Sequence, residues 1–253
     1  MKCLILAAGY GSRLRELGDS KPLVPVGGLP LIEHVLCGAA EAGIRDFVVV
    51  TGHLSDRLEP FLAAAASRLG LSIEAVRLTD WDRPNGFSVI AGAERAGDDY
   101  LLLMSDHLFD PAILRRLVAA PRPEGVRLVV DRNTGSPLTD LDDATRVDVG
   151  PDGAIRRIGK QIAGFNAVDT GIFRATPALP AAIAEAAAAG RSGSLSDGVQ
   201  RLADQGRAAT MDVGHGWWID VDDARAHALA EAELRRQPAI QASCGKVATG
   251  FPQ

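Results

Sequence analysis

The chain has 253 residues, 47% of them apolar, and a formal net charge of −5. Such a chain can bury a substantial core, so disorder is not expected, and its acidity argues against a general nucleic-acid or anionic-membrane surface. A phosphate site would have to be a local cationic pocket, and with lysine confined to Lys2, Lys21, Lys160 and Lys246, a lysine in a motif carries weight.

Lys2-Cys3-Leu4-Ile5-Leu6 is a short apolar run ending in small residues, which reads as a buried strand feeding a loop. In that loop Ala7, Ala8, Gly9 and Gly11 remove side-chain bulk where a ligand could approach the backbone. Arg13 and Lys21 bring positive charge to the same place, a combination that suits a polyphosphate. The pattern is not the dinucleotide fingerprint, because Leu14 stands where the third glycine belongs. Nor is it a Walker A loop, since no Gly-Lys-Ser/Thr follows.

Leu31 to Ala42 has helical spacing, and Asp46 to Thr51 is a β-branched run expected as a second strand. Ser55 is expected to cap a helix reaching Leu69. Ile73 to Leu78 reads as a third strand, followed by a polar loop and a short helix to Ala96. Tyr100 to Met104 is a fourth strand, ending at Ser105-Asp106-His107. Asp110-Pro111 opens another helix, and Val126 to Val130 is a fifth strand. Alternation at this spacing implies a mostly parallel α/β sheet covered on both faces, with ligands at the carboxyl ends of its strands. The second half reads differently. Asp131 to Asp143 is a polar loop, Arg146–Val149 and Ile155–Ile158 form a hairpin, and Ala167 to Arg174 is a strand. Helices follow from Thr176-Pro177 and from Ser194. Strands at Ala208–Val213 and Trp217–Val221 precede a last helix capped by Asp222. The expected organisation is one domain over 1–236 with a small β extension, and a disordered tail over 237–253.

Cys3, Cys37 and Cys244 are too far apart for a disulfide framework or a zinc pattern, so buried free thiols in a reducing, cytoplasmic setting are expected. No signal peptide is visible, and no apolar stretch reaches the length of a membrane span.

Several carboxylates follow strands. Asp106 leaves a buried apolar strand toward the rim, where it could hold a metal or simply start a helix. Asp220 and Asp222 lie on one side of an extended segment, and Mg²⁺ takes one or two protein carboxylates. Asp106 with Asp220 meets that demand, and Asp222 competes with its own role as a cap. Asp169 accepts hydrogen bonds when ionised, as a polyol would require. Gly86 would admit close backbone contact, while Asn85 or Ser88 could bond a base; Asn85 as a helix cap is the alternative. His53, His107 and the three tryptophans are expected to support or pack around the rim. Arg15 and Arg83 read as surface charge.

Leu6-Ala7-Ala8-Gly9-Tyr10-Gly11-Ser12-Arg13-Leu14, followed by Lys21-Pro22-Leu23-Val24-Pro25-Val26, resembles the signature of the nucleotidyltransferases that join a nucleoside triphosphate to a phosphorylated sugar or alcohol. With Arg-Pro-Asn-Gly-Phe-Ser, Met-Ser-Asp-His and Val-Asp-Thr-Gly-Ile-Phe, the likeness extends to the CTP:inositol-1-phosphate cytidylyltransferases, over Met1 to Arg236. The resemblance implies a Rossmann-like sheet of the nucleotide-diphospho-sugar transferase type. It implies that Leu6, Ala7, Ala8, Gly9, Gly11, Ser12, Asn85, Gly86 and Ser88 line the nucleotide site. It implies Arg13, Lys21 and Lys160 as catalytic cations, with Lys160 on the acceptor phosphate. Asp169, Thr170 and Gly171 would meet acceptor hydroxyls, and Asp106, Asp220 or Asp222 would hold Mg²⁺. The implied partners are CTP, a phosphorylated polyol or alcohol, and a separate CDP-alcohol phosphotransferase that uses the product. Other phospho-alcohol cytidylyltransferases and sugar-1-phosphate nucleotidylyltransferases carry the same signature. A non-catalytic nucleotide-binding regulator would not need all of Arg13, Lys21 and Asp106. An oxidoreductase would want an acidic residue where Thr51-Gly52 stands.

Overall fold

The computed structural model describes residues 1–14 and 16–237; Arg15 and the expected tail from 238 onward lie outside the described residues. Strand β1 (Lys2–Ala7) is apolar from its second position on, so both faces of its pleat must be covered. It runs through the glycine loop and two 3-10 turns, Ser12–Leu14 and Lys21–Leu23, into the small ribbon β2 (Pro25–Val26) and β3 (Leu29–Pro30). Then come α1 (Leu31–Glu41), β4 (Asp46–Thr51), α2 (Ser55–Leu69), β5 (Ser72–Arg77), α3 (Gly86–Ala96) and β6 (Tyr100–Met104). Helical crossovers between them leave β6, β1, β4 and β5 side by side and parallel, with Ile5 opposite Val49 on one side and Leu103 on the other.

The two faces follow the period of two. Cys3, Ile5, Phe47, Val49 and Leu103 pack with apolar residues of α1 and α2, and with those of α4 (Pro111–Ala119). Leu4, Leu6, Val48 and Leu102 pack on the opposite face with α3, and with α5 (Ala178–Ala188) and α6 (Leu195–Asp204).

Before α4 runs a short strand absent from the sequence reading, β7 (His107–Phe109), and after it β8 (Val126–Asp131). The expected hairpin is present as β9 (Arg146–Val149) and β10 (Ile155–Gly159). Strand β11 (Ala167–Ala175) joins the halves, pairing antiparallel with β6, β8 and β9. Strand β12 (Ala208–Asp212) extends the sheet beside β8, and β13 (Trp218–Asp220) pairs with β7. Helix α7 (Ala224–Arg236) packs Ala230 and Leu234 on a third cluster with Leu14, Val24 and Ile219. The mostly parallel core and its antiparallel extension match the expected fold.

Three local expectations are corrected. Ser55 is the first residue of α2 rather than its cap; the flanking residue is Leu54, in the left-handed region at φ +53° with no side-chain cap. Asp223, not Asp222, caps α7, accepting from the Ala226 amide at 2.7 Å. Cys3 is a buried free thiol, which burial pushes far up, whereas Cys37 is disulfide-bonded; Cys244 lies outside the described residues. Among the described residues no helix is long and apolar enough to cross a membrane.

Candidate active site

Because β11 is antiparallel to β6, its beginning lies at the rim where β6 ends, with Ile172 opposite Leu103. Topology therefore brings Asp169–Gly171 to Asp106–His107. Two cavities open on this rim. The first is lined by Leu6, Ala7, Ala8, Gly9 and Gly11 of the loop, with Lys21, Asn85, Ser88 and Asp106. The second is lined by Arg13, Asp143, Lys160, Asp169, Gly171, Asp220 and Asp222. Asn85 and Met104 line both, so the cavities meet there.

The loop has the shape its small residues permit. A side chain at Gly9 would point into open space. Gly11 has φ +61°, and a Cβ there would lie 2.4 Å from Cβ of Lys21, so the glycine lets the lysine stem pass. Ser12 opens the 3-10 turn that carries Arg13.

Lys21 is almost wholly buried and is surrounded by acid. Its Nζ lies 2.5 Å from Asp106 Oδ2 and 3.9 Å from Asp220 Oδ1, and it also bonds Asp222 Oδ1. Burial would lower the lysine pKa, but these three carboxylates overcome it and hold the ammonium protonated, with its pKa raised. His107 accounts for the other side of Asp220: its Nε2 is 3.4 Å from Asp220 Oδ2, while Nδ1 contacts the Thr170 carbonyl at 2.8 Å. Burial opposes charge on His107, yet Asp220 and Asp106 push its pKa up to about 10. For Asp220, burial is outweighed by His107 and Lys21, which hold the carboxyl low. Asp222 moves upward, because burial and the charge on Asp220 outweigh Lys21.

This cluster fits a hard divalent cation. Asp220 Oδ1 is buried and accepts no hydrogen bond among the described residues. One ligand atom each from Asp106, His107 and Asp220, or from Asp143, Asp220 and Asp222, lies within 4.8 Å of the others. An oxygen-rich set with an orphaned carboxylate oxygen is what such an ion requires.

In the second cavity Asp143 joins two cations that are far apart in sequence. Its Oδ2 accepts from Arg13 Nη2 at 2.7 Å and its Oδ1 from Lys160 Nζ at 2.6 Å. Burial of Asp143 is outweighed by these two partners, which hold its carboxyl well below the usual range. Arg13 also bonds Asp222. Asp169 is half-buried, its Oδ1 accepts from the Gly171 amide at 2.7 Å, and burial pushes its pKa up to about 6.

Four expected contact residues have other tasks. The Thr170 hydroxyl is fully buried and donates to the Val129 carbonyl at 2.8 Å, so it faces the sheet and not the cavity. Gly171 lines the cavity, but its missing side chain makes room for a neighbour: a Cβ would stand 2.3 Å from His107 Nδ1. Gly86 is buried, and a Cβ would meet the Gly193 carbonyl at 2.2 Å, so its bareness serves helix packing rather than approach of a base. Asn85 stands at the N-cap of α3 without a side-chain capping bond; its Oδ1 accepts from the Leu195 amide at 2.9 Å, tying α3 to the start of α6.

The first cavity also has walls that the sequence reading left without chemistry. Trp81 and Arg83 line it. Arg83 lies 3.3 Å above the Phe87 ring and pairs with Asp80, while Trp81 stacks with Tyr10 and contacts His53. Position in a polar loop gave no signal for them, nor for Asp143. Only the preceding strand ends marked the region.

The family model for the MobA-like NTP transferase domain matches residues 3–144, which carry the loop, Lys21 and Asp106. The chain belongs to that family. Its family segment holds the whole first cavity and the Asp143 end of the second. Among curated relatives, a protein of Rubrobacter xylanophilus named bifunctional IPC transferase and DIPP synthase is 33% identical over 231 residues, 90% of this chain and 50% of that one. The protein of the same name from Archaeoglobus fulgidus is 33% identical over 173 residues, covering 68% of this chain and 32% of that one. The chain thus spans half or less of the length of these relatives. The solved structure of the inositol-1-phosphate CTP transferase from T. maritima superposes with a TM-score of 0.80 at 24% identity, covering 100% of this chain and 98% of that one. A UDP-glucose pyrophosphorylase shares the fold at a TM-score of 0.74 and 18% identity, over 93% and 98% of the two chains.

Proposed function

We propose that the chain is a cytidylyltransferase that joins CTP to inositol 1-phosphate, giving CDP-inositol and pyrophosphate. The observation that carries this reading is the meeting of two cavities beside one lysine–carboxylate cluster. One cavity is backbone-lined and suits a nucleotide; the other has Lys160 and Asp169, which suit a phosphorylated polyol, and Arg13, which Asp222 ties to Lys21 of the first cavity. The names of the curated relatives support the choice of acceptor.

A phosphate oxygen of the acceptor attacks the α-phosphorus in line. The new P–O bond forms as the bond to the β-phosphate breaks, and its electron pair leaves with pyrophosphate. The attacking phosphate is a monoester with a second pKa of about 6, so it is already ionised and no general base is needed. The chain's task is to offset repulsion between anions and to hold them aligned. Arg13 holds the β- and γ-phosphates, Lys21 reaches the α-phosphate, and Lys160 holds the acceptor phosphate. Asp169 accepts hydrogen bonds from the polyol. Asp106 and Asp220, or Asp106 and Asp222, would hold Mg²⁺, which when bound neutralises the α-phosphate and the leaving group. A CDP-alcohol phosphotransferase activity is the proposed consumer of the product.

The test is pyrophosphate release with Mg²⁺ from a panel of nucleoside triphosphates and phosphorylated acceptors. CTP with inositol 1-phosphate is expected to give the highest kcat/KM. Preference for UTP with a sugar 1-phosphate would move the chain to another branch. No release with any pair would sink the transferase reading.

A further inference from the structure

Asp143 ends the polar segment between β8 and β9, and that segment is docked upstream of it, at Pro137 and Leu138. Arg225 Nη2 donates to the Pro137 carbonyl at 3.2 Å, and Leu138 packs on the cluster that contains Leu14 and Ile219. Asp143 lies within a turn closed by the Asp140 carbonyl, which accepts from the Ala144 amide at 2.8 Å. A docked strap thus delivers one carboxylate between Arg13 and Lys160, one oxygen to each. Two acceptor oxygens facing two cations reproduce what a phosphate would offer.

We propose that Asp143 is a positioning residue that stands in for substrate phosphate and couples the two half-sites. A phosphate that takes Arg13 or Lys160 loosens Asp143 from the other, so the first ligand raises affinity for the second. This rests on the reading of the two cations as ligands of different substrates. The argument for the sign is physical. The Arg13 and Lys160 side chains are 51% and 55% exposed, and such ion pairs hold only by roughly two- to fivefold each. Anchored at one end, the carboxylate meets the second cation at high effective concentration; once one anchor is lost, so is that advantage. Asp222 keeps Arg13 oriented when Asp143 leaves it. The coupling is reciprocal by linkage.

Calorimetry with inorganic pyrophosphate and inorganic phosphate as probes tests this without depending on which nucleotide or polyol is used. In the wild type, saturating pyrophosphate is expected to raise phosphate affinity by about two- to fivefold. Asp143→Asn should bind each probe alone more tightly by a similar factor, with the coupling reduced to less than about twofold. Asp143→Glu, which keeps the carboxylate, should retain the coupling and shows that any loss is not a folding defect. The proposal is overturned by absence of coupling in the wild type, by coupling of equal size in Asp143→Asn, or by weaker or unmeasurable pyrophosphate binding in that variant. Failure of the cytidylyl-transfer reading would appear separately, as no pyrophosphate release from CTP with inositol 1-phosphate, and leaves the probe result standing.

Discussion

The stem of Lys21 lies against the bare α-carbon of Gly11, where a Cβ would come within 2.4 Å of Lys21 Cβ and 2.9 Å of its Cδ. Gly11 also needs φ +61°, which costs other residues about 1–2 kcal/mol. Gly11→Ala is therefore expected to push Lys21 off the carboxylate cluster. A displacement of about 1 Å should lower kcat about 100-fold with a modest loss of melting temperature. Unchanged kcat in Gly11→Ala would show that the lysine is not held by this contact.

Lys21 neutralises three carboxylates, and in the proposed mechanism it has a second, separable duty, to meet the α-phosphate. Lys21→Met should lower kcat by about 10²–10³-fold, the scale of losing one preorganised charge in a transition-state site. It should also lower the melting temperature at neutral pH, since Asp106, Asp220 and Asp222 then face one another without their common cation. Added Mg²⁺ is expected to restore part of the stability and none of the turnover. Wild-type turnover in the variant would remove Lys21 from the mechanism.

Gly86 separates a packing role from a binding role. Gly86→Ala drives a methyl into the Gly193 carbonyl and Ile183, an overpacking that costs about 1–3 kcal/mol. Denaturant unfolding should register that loss, while the KM for nucleotide stays within about twofold at temperatures where the variant is folded. A raised KM with unchanged stability would return Gly86 to the nucleotide site.

Acid stability should depend on Asp197. Burial alone would raise its pKa, but Ser192, Arg191 and the Ser194 amide lower it to about 2. A depressed carboxyl contributes stability above its unfolded value and loses it as pH falls through the folded value. From 3.8 to about 2, this amounts to about 2 kcal/mol at neutral pH, lost between about pH 5 and pH 1. Asp197→Asn should be less stable at pH 7 and show a flatter decline in melting temperature below pH 5. Parallel curves for the two proteins would contradict this.

The period-two strands and the alternating helices were legible because burial on both faces leaves an apolar trace in the sequence. The loop was legible for the same local reason: small residues, then Arg13 and Lys21 in the two turns that follow. The finer roles were not. Thr170 was expected at the acceptor and faces the sheet. Asp222 was expected also as a cap and instead joins Lys21 and Arg13, because the cap falls one residue later, at Asp223.

By itself the sequence determined the strands, their two covered faces and the glycine loop with Arg13 and Lys21 beyond it, since each depends on neighbours within a few residues. Only the tertiary structure decided what those cations face. The antiparallel entry of β11 sets Asp169 and Gly171 beside His107, and the pairing of β13 with β7 carries Asp220 to Asp106. Asp143 reaches Arg13 across 130 positions in the chain. Such contacts are made by topology and packing, and no local pattern of residue types encodes them.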